Sequence, residues 1–261
     1  MTAVQPRRRA ALDIPATAAA AIATARELAA EFGPGAAARD ADRRLPFEQV
    51  ARMRESGLLA IGIPTDDGGP GLPPSVIAQT TAIIAAADPN IAQIPHSHYV
   101  YLGLVRLAAL PPLRRRIFDG VLAGGQVANA QTERGGKTAA DVATPLRRDG
   151  AGYRLDGAKF YCTGSLFADT LAVLARLDDP FDGGEPGQYV AFIPADAPGV
   201  QIADDWDALG QRTTASGTIT FDGVAVPADA IAPRALATSC PTGYGAVAQL
   251  LHAAFDSCIG R

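Results

Sequence analysis

The sequence is poor in the features that mark several common protein classes. Its 261 residues include three cysteines, three histidines and one tryptophan. Cys162, Cys240 and Cys258 are odd in number and lack metal-ligand spacing, which argues against a disulfide framework or a bound metal. No apolar run approaches the roughly 20 residues that a membrane-spanning helix needs. These absences predict a cytoplasmic protein without a membrane span, disulfides or a metal site.

An excess of positive charge is also missing. Lysine and arginine number 23 against 27 acidic residues, so the net charge is −4 and the isoelectric point is about 5.4. Proteins that bind nucleic acid need clustered cations, so nucleic acid is not an expected partner. The one basic cluster, residues 7–9, lies in a segment, residues 1–15, that we expect to be disordered. Asp13 and Pro15 interrupt the apolar core that an export signal would require.

Two nucleotide-binding signatures are absent as well. No Gly-x-Gly-x-x-Gly motif follows a predicted strand, and there is no phosphate-binding loop of the GxxxxGK[ST] type. What the chain does have is 48% hydrophobic residues, enough for one large domain or two small ones with their own cores.

The first part of the chain has the periodicity of helices. Apolar residues recur at helical spacing, and the segments end at Gly or Pro. Pro95 is expected to kink or delay the fourth of these helices. Helices are predicted over residues 16–32, 47–55, 75–87, 91–110 and 113–122.

The pattern changes after Gly124-Gly125, where short β-rich runs alternate with Pro, Gly and Asp clusters. Such spacing predicts a small barrel or sandwich, with Asp222-Gly223 as one of its turns. A last helix, residues 244–259, follows, with Val247, Leu250, Leu251 and Phe255 on one stripe. Helices followed by strands indicate an α+β fold rather than βαβ units. Strands are predicted over residues 127–131, 141–148, 153–155, 170–176, 188–193, 199–202 and 218–226.

The segment from Asn129 to Ser165 has the composition of a cofactor site. Its two ends combine glycines, which leave the backbone accessible, with hydroxyl and aromatic side chains. A flat cofactor with hydrogen-bonding edges needs surfaces to stack on and donors at its rim. We therefore interpret this segment as half of a flavin site.

Three ordered motifs in this region resemble those of a known family. Thr132-Glu133 stands before a Gly pair, residues 156–164 read DGAKFYCTG, and residues 209–214 read LGQRTT. In sequence and order they are similar to motifs of the acyl-CoA dehydrogenase superfamily, and the resemblance extends over residues 16–261. Where dehydrogenases of the superfamily usually have Trp and Asn, this chain has Tyr161 and Gly164. It is more similar to the flavin-dependent monooxygenase branch, which includes sulfur-acquisition and dibenzothiophene-type oxygenases.

The resemblance implies a fold and an organisation. It implies an amino-terminal α-helical domain (residues 16–125), a middle β-barrel domain (126–232) and the start of a carboxy-terminal helical bundle (233–261). In the family that bundle builds a tetramer, so a homo-oligomer is expected for the full-length protein. Since residue 261 falls within what should be the first bundle helix, we expect the chain to be truncated there, with its apolar stripe uncovered and part of the flavin site missing.

The resemblance also implies an activity. The expected function is that of a two-component monooxygenase: a separate flavin reductase supplies reduced FMN, and oxygen is used to oxygenate a small sulfur or nitrogen compound. An FAD-dependent acyl-CoA dehydrogenase is the alternative, so the cofactor is expected to be FMN or FAD. A third alternative is an inactive truncated chain.

Site residues follow from the same resemblance. Catalytic roles are expected for His98, which would relay a proton, and Thr163, near the reactive flavin nitrogen. Ordinary structural roles stay open for all of them: a helix-start histidine, a core aromatic, a strand-to-turn segment or a domain-interface tryptophan. Residues expected to bind the cofactor are Asn129, Gln131, Thr132, Tyr161, Thr163, Ser165 and Trp206.

Overall fold

A computed structural model of the chain describes residues 12–135, 141–181, 184–239 and 241–256. The predicted disordered tail, residues 1–15, lies largely outside this range, and residues 12–15 have no regular structure. Up to residue 122 the described chain is helical. The helices are α1 (Ala18–Phe32), α2 (Ala36–Ala41), α3 (Phe47–Glu55), α4 (Pro74–Ala85), α5 (Pro89–Gln93), α6 (His96–Ala108) and α7 (Pro111–Leu122).

Helix α1 shows how the helical part is specified. Thr17 caps it, accepting the Ala20 N–H on its hydroxyl at 3.2 Å. Its buried residues, Ala21, Ala25, Leu28 and Phe32, recur at a helical period and pack in one core with residues of α4 and α9 (Tyr244–Asp256).

The single helix predicted over residues 91–110 is two helices. Asp88 caps α5, and its carboxylate accepts the N–H groups of Asn90 and Ile91. Pro95 then separates α5 from α6, because its ring nitrogen has no hydrogen to donate. The separation matters because it places the first turn of α6 beside the β part of the molecule.

One sheet follows the helices, which confirms the predicted α+β order. In the sheet the strands are arranged β6-β7-β3-β2-β4-β5-β8, and β1 pairs with β4 in parallel. The strands are β1 (Val127–Ala130), β2 (Pro145–Asp149), β3 (Gly152–Lys159), β4 (Thr170–Leu177), β5 (Gly187–Pro194), β6 (Val200–Ile202), β7 (Ile219–Pro227) and β8 (Ile231–Pro233).

The expected barrel is not confirmed. Strands β6 and β8 stand at the two ends of the described sheet, with no pairing between them. The sheet is instead covered from the side of β1, β4 and β5, where Val127, Leu174 and Phe192 pack in one core with residues of α6 and α7.

Asp222-Gly223 is not a turn, so that prediction was wrong. Strand β7 continues through it, and the pairing with β3 shifts between Leu155–Val224 and Gly157–Phe221. Gly223 has φ +58°, which a β-bulge with a left-handed glycine requires. A bulge and a hairpin turn use the same Asp-Gly chemistry, so sequence alone does not separate them.

The last helix is better covered than predicted. Helix α9 packs on α4, α5 and α6, so Leu251 and Phe255 are buried and Val247 is partly buried. The expectation that all four stripe residues are uncovered is therefore wrong, and Leu250, at 43% exposure, is the one left open. The predicted end of this helix lies outside the described residues. Three short elements were not predicted: α2, β8 and α8 (Ala235–Thr238).

No helix in the described ranges has both the length and the apolar composition to cross a membrane.

Candidate functional site

The chain turns sharply just after β3, at Tyr161 and Thr163. Tyr161 adopts a left-handed backbone with φ +58°, and its carbonyl accepts the Thr163 N–H at 3.0 Å. Both residues therefore lie outside the regular strand. Cys162 is buried in the sheet core, and its N–H donates to the Gly217 carbonyl at 3.0 Å. The turn leaves the Tyr161 side chain 52% exposed.

Gly164 completes this turn and positions Ser165. Its φ of +78° favours glycine, and a Cβ there would lie 3.1 Å from the Ile94 carbonyl oxygen. A 3-10 helix, Ser165–Phe167, begins directly after it. Ser165 is 1% exposed, and its hydroxyl has no hydrogen-bonding partner among the described residues. A buried hydroxyl without a partner is uncommon and marks a place where a ligand atom fits.

Tyr161 and Trp206 together form what we call the aromatic wall. Their rings meet edge to face with centroids 6.0 Å apart. Trp206 is partly exposed, and its indole N–H donates to the Gln211 carbonyl at 2.9 Å. The pair presents apolar ring surface next to hydrogen-bonding groups, which suits a flat heterocycle.

The segment 204–216, here the Trp206 loop, is fastened to the helical part of the chain. Arg43 donates from Nε to the Trp206 carbonyl at 2.9 Å and pairs with the Asp204 carboxylate. Asp40 accepts the Arg212 N–H at 2.9 Å. Asn90 accepts the Thr213 N–H at 3.2 Å and donates to Asp40 at 3.1 Å. These contacts fix the loop from outside the sheet.

The same region contains strained backbone. Among the described non-glycine residues, Arg43, Tyr161, Gln211 and Ala215 have positive φ, between +50° and +58°. All four belong to the aromatic wall, its loop or the anchor of that loop. Left-handed backbone at such residues costs free energy and concentrates at functional sites.

A chain of hydroxyl groups connects the Trp206 loop to Thr163, in the turn that holds Tyr161. Thr214 donates to the Gln211 carbonyl at 3.1 Å, and Ser216 lies 2.7 Å from the Thr214 oxygen and 2.8 Å from that of Thr163. A carbonyl only accepts, so the Thr214 proton is committed to it. Ser216 then donates to Thr214, and Thr163 donates to Ser216. This order leaves the Thr163 oxygen with free lone pairs, as an acceptor.

Residues 129–132, at the start of the predicted cofactor segment, lie beside the turn at Tyr161. Phe160 donates its N–H to the Thr132 carbonyl at 2.8 Å, which joins the two ends of the segment. Asn129 accepts from the Ser97 hydroxyl at 2.8 Å and donates to the Tyr161 carbonyl at 3.4 Å. The structure thus brings Asn129, Thr132 and Tyr161 together, and Thr132 is exposed.

A buried ion pair supports this stretch from below. Lys159, fully buried, donates to Glu133 at 2.6 Å and to the Gln131 carbonyl at 3.3 Å. Glu133 also accepts the N–H groups of Ala143 and Thr144. Burial favours the neutral acid, but the hydrogen bonds from Lys159 and these amides outweigh it and lower the pKa of Glu133 to about 2.

The surroundings of His98 argue against its predicted catalytic role. The side chain is fully buried, its Nε2–H donates to the Leu59 carbonyl at 2.9 Å, and Nδ1 accepts the Val127 N–H at 3.1 Å. Both ring nitrogens are thereby used. Burial lowers the pKa of His98 to about 4, so the ring is neutral near pH 7. His98 joins α6 to β1, and neither of its ring nitrogens is left to exchange a proton with a cofactor.

The other histidine of the pair, His96, lines a cavity of about 710 Å³ together with Ser97, Gln131 and residues of α8 and α9. Its Nε2 lies 3.0 Å from the Ala248 carbonyl oxygen, and its ring stands edge to face with His252. The cavity shares Gln131 with the predicted cofactor stretch.

Sequence reasoning missed several residues that shape the site, among them Asn90, Ser97 and Ser216. The local pattern at Asn90 predicts only the end of a helix, although an Asp-Pro-Asn run is also typical of a helix start. Ser97 and Ser216 lie within segments of the family resemblance, but nothing in their local pattern points to Asn129 or Thr163.

Two family models match the chain, one after the other. Residues 16–124 match "Acyl-CoA dehydrogenase, N-terminal domain", and residues 128–224 match "Acyl-CoA dehydrogenase, middle domain". Together they cover the helical part and most of the sheet.

Similar proteins include several named monooxygenases. "Probable FMNH2-dependent monooxygenase SfnC" of Pseudomonas putida is 31% identical over 79% of this chain and 50% of its own length. FMN-bound TdsC from Paenibacillus sp. A11-2 has a TM-score of 0.81 and 30% identity, covering 92% of this chain and 62% of the other. Methanesulfinate monooxygenase MsuC from Pseudomonas fluorescens has a TM-score of 0.77 and 29% identity, covering 91% and 60%.

The chain spans between half and about three fifths of the length of these three proteins. Within that span the two family models match in chain order. The chain therefore belongs to the acyl-CoA dehydrogenase superfamily, and it is similar to flavin-dependent monooxygenases of that superfamily.

Proposed function

We propose that the protein is a two-component, FMN-dependent monooxygenase that oxygenates a small sulfur or nitrogen compound. The observation that carries the proposal is the aromatic wall, in which a half-exposed Tyr161 in strained backbone stands against the chain's one tryptophan. Named relatives support the cofactor and the substrate class: SfnC is described as FMNH2-dependent, TdsC binds FMN, and MsuC acts on methanesulfinate.

The described residues fit a flavin. The Ser165 hydroxyl is buried and lacks a partner, and the Thr163 oxygen has lone pairs to offer. Tyr161 and Trp206 supply ring surface. Asn129 supplies a side-chain amide already fixed by Ser97. In this proposal Gln131 and Thr132 line the edge of the ring system, and the fixed Trp206 loop sets its position.

Bound reduced flavin supplies the two electrons with which one atom of O₂ enters the substrate and the other leaves as water. The residues of the chain bind and orient the reactants. Thr163, as an acceptor, is suited to a ring N–H, which the reduced form of a flavin presents at its central nitrogen. The Thr163–Ser216–Thr214 chain therefore favours reduced over oxidised flavin. The apolar wall keeps water from the reacting atoms.

An FAD-dependent acyl-CoA dehydrogenase is the alternative. Gly164 disfavours it, because the Asn usual at this position in dehydrogenases would bring a Cβ to 3.1 Å from the Ile94 carbonyl oxygen. The cofactor separates the two functions, since preference for FMN over FAD supports the monooxygenase and the reverse supports the dehydrogenase.

A flavin reductase, a cytoplasmic location and a homotetramer complete the proposal. The reductase is required because a two-component monooxygenase receives its reduced flavin from a separate enzyme. The tetramer rests on the family resemblance, and the location rests on the composition of the sequence. Leu236 and Leu250, exposed on α8 and α9, are the apolar side chains that a neighbouring subunit would cover. Sedimentation at several concentrations tests the assembly.

Flavin binding can be measured directly, because Trp206 is the only tryptophan and lies in the proposed site. Titration of the purified chain with FMN should quench Trp206 fluorescence to a stoichiometric endpoint. Thr163→Val should weaken the binding of reduced FMN more than that of oxidised FMN, since it removes the hydrogen-bond acceptor. Tyr161→Ala should weaken the binding of both forms about equally.

Phe181→Ala is the matched control. Phe181 contacts Tyr153 at the start of β3 and Tyr161 follows its end, so the two aromatics lie about 25 Å apart. This variant should bind FMN as the wild type does. A protein that stays colourless, with unquenched Trp206 at saturating flavin, would rule out the flavoenzyme for this chain and leave the inactive alternative. Product formation with a supplied reductase and dibenzothiophene or methanesulfinate then tests oxygenation.

A further inference from the structure

The cavity of about 710 Å³ lined by Gln131 has an unusual charge balance. Its described lining includes one arginine, Arg234, and no carboxylate. Polar side chains also line it, among them Ser97, Gln131 and Thr242. A neutral aromatic substrate needs none of this polarity, so the lining indicates a ligand with a charged end.

Arg234 is held in place without being neutralised. Its backbone N–H donates to the Gln188 carbonyl at 2.9 Å, and its Nη1 donates to the Gln188 side-chain oxygen at 2.8 Å. Both acceptors are neutral, and no carboxylate lies within ion-pair distance of the guanidinium among the residues that the structure describes. The planar guanidinium has further donors for an oxyanion, which it can bind through two parallel hydrogen bonds.

Tyr101 adds a second, independent sign of a missing ligand. It lines the same cavity and is 2% exposed, with its ring edge to face on Phe192. Its hydroxyl has no hydrogen-bonding partner within the described ranges. Burial raises the pKa of Tyr101 well above the usual value, so the hydroxyl stays protonated and can donate a hydrogen bond to a ligand.

The cavity also adjoins the proposed flavin position. Gln131 belongs to both, and Ser97, on the cavity wall, holds Asn129 through a hydrogen bond of 2.8 Å. A molecule bound in this cavity therefore lies next to Gln131 and Ser97, which the proposed flavin site also uses.

We propose that Arg234 and Tyr101 form an oxyanion site that binds the carboxylate, sulfinate or sulfonate end of the substrate. The substrate of this enzyme is then a small organic anion, which Arg234 selects against neutral compounds of the same size. This inference rests on the proposed function for the reaction, but the anion site itself stands on the cavity alone.

The test compares two probes of similar size, methanesulfinate and neutral dimethyl sulfone, by ligand-observed NMR on the chain with FMN present. Methanesulfinate should bind at least tenfold more tightly than the sulfone. Arg234→Gln should abolish this preference, and Arg234→Lys should retain part of the preference. Tyr101→Phe should reduce the affinity for methanesulfinate about threefold to tenfold. Equal affinities in the wild type, or an unchanged preference in Arg234→Gln, would overturn the proposal.

Two further measurements test whether Arg234 acts on the substrate. Arg106→Gln, an arginine on a neighbouring cavity of about 380 Å³, is the matched control and should leave both affinities unchanged. If Arg234→Gln weakens the binding of FMN but not that of riboflavin, Arg234 binds the flavin phosphate, and the substrate assignment is overturned. Preferential methanesulfinate binding by a chain that binds no flavin would leave the anion site standing while the proposed function fails.

Discussion

The imidazole Nδ1 of His98 accepts the backbone N–H of Val127 at 3.1 Å, and this contact joins the first turns of α6 to the first strand of the sheet. The opposite ring nitrogen donates to the Leu59 carbonyl at 2.9 Å, so the backbone partners determine the tautomer. A residue expected to do chemistry is instead the joint between the helical and β parts of the chain.

This joint makes stability depend on pH. Burial lowers the pKa of His98 to about 4 from the usual value of 6.5, so the unfolded chain binds a proton there that the folded chain refuses. The stability that the neutral ring contributes is present above pH 6.5 and is lost as the pH falls toward 4. The expected loss between pH 7 and pH 4 is about 3 kcal/mol. Urea unfolding at a series of pH values measures it.

His98→Phe provides the comparison, because it fills similar space and does not titrate. It leaves the Leu59 carbonyl and the Val127 N–H without partners, at about 1–3 kcal/mol each, so the variant should be less stable at pH 7. Its stability should also fall less between pH 6.5 and pH 4 than that of the wild type. Parallel pH profiles for the two proteins would refute the role assigned to His98.

Local pattern predicted those parts of the fold that local forces determine. The bounds of α3, Phe47–Glu55, agree with the prediction because a proline precedes it, a Ser-Gly pair follows it and its apolar residues keep one period. The bulge at Gly223 could not be distinguished from a turn, because the two have the same local chemistry. The missing closure of the sheet depends on which distant strands pair, and no local pattern reports that.

The site was predicted in its composition but not in its support. Motifs in the sequence point to Tyr161, Trp206 and Thr163, and the structure brings Tyr161 and Trp206 into contact. The anchor from Asp40 to Arg212 joins residues 172 positions apart, so neither local sequence shows that the other exists. Buried polar contacts of this kind are fixed by the tertiary fold, and therefore His98 could be noticed in the sequence but not correctly assigned.

Asn90 is predicted to control the mobility of the Trp206 loop. Its side chain accepts the Thr213 N–H and donates to Asp40, so Asn90→Ala removes both bonds and leaves buried polar groups unpaired. The expected cost is about 1–3 kcal/mol. Acrylamide should quench Trp206 fluorescence more strongly in this variant than in the wild type, with far-UV circular dichroism unchanged.

Gln79→Ala, which removes an exposed amide from α4, is the control for Asn90→Ala and should change neither stability nor quenching. If Asn90→Ala lowers stability while Trp206 stays as protected as in the wild type, the loop is held by Arg43 and Asp40 without help from Asn90.

The buried pair of Lys159 and Glu133 is predicted to be costly to break from one side. Lys159→Met leaves the largely buried Glu133 carboxylate without its cation, so it should lower stability by about 3–5 kcal/mol. Combining it with Glu133→Gln removes the isolated charge and should recover part of that loss. Denaturant unfolding of both single variants and the double variant gives the coupling between the two residues.

An exposed pair, Arg176 with Asp178, is the reference for this cycle, and Arg176→Gln should have little effect. Lys159 also donates to the carbonyl of Gln131, which lies in the proposed flavin site, so Lys159→Met should weaken FMN binding as well. Additive single-variant effects would show that Glu133 and Lys159 do not act as a pair.

Gln211 tests whether the strain around the aromatic wall is real. Its φ of +51° is unfavourable for any side chain, while its carbonyl accepts from both Trp206 and Thr214. Gln211→Gly keeps the carbonyl and relieves the backbone, so it should stabilise the fold by about 0.5–1 kcal/mol after the entropy of glycine is counted. Gln211→Val adds a β-branched side chain that tolerates positive φ poorly, and it should destabilise the fold and expose Trp206 to acrylamide. Thermal unfolding of the two variants should move in opposite directions, and a shift in the same direction for both would show that the backbone at Gln211 is not left-handed in solution.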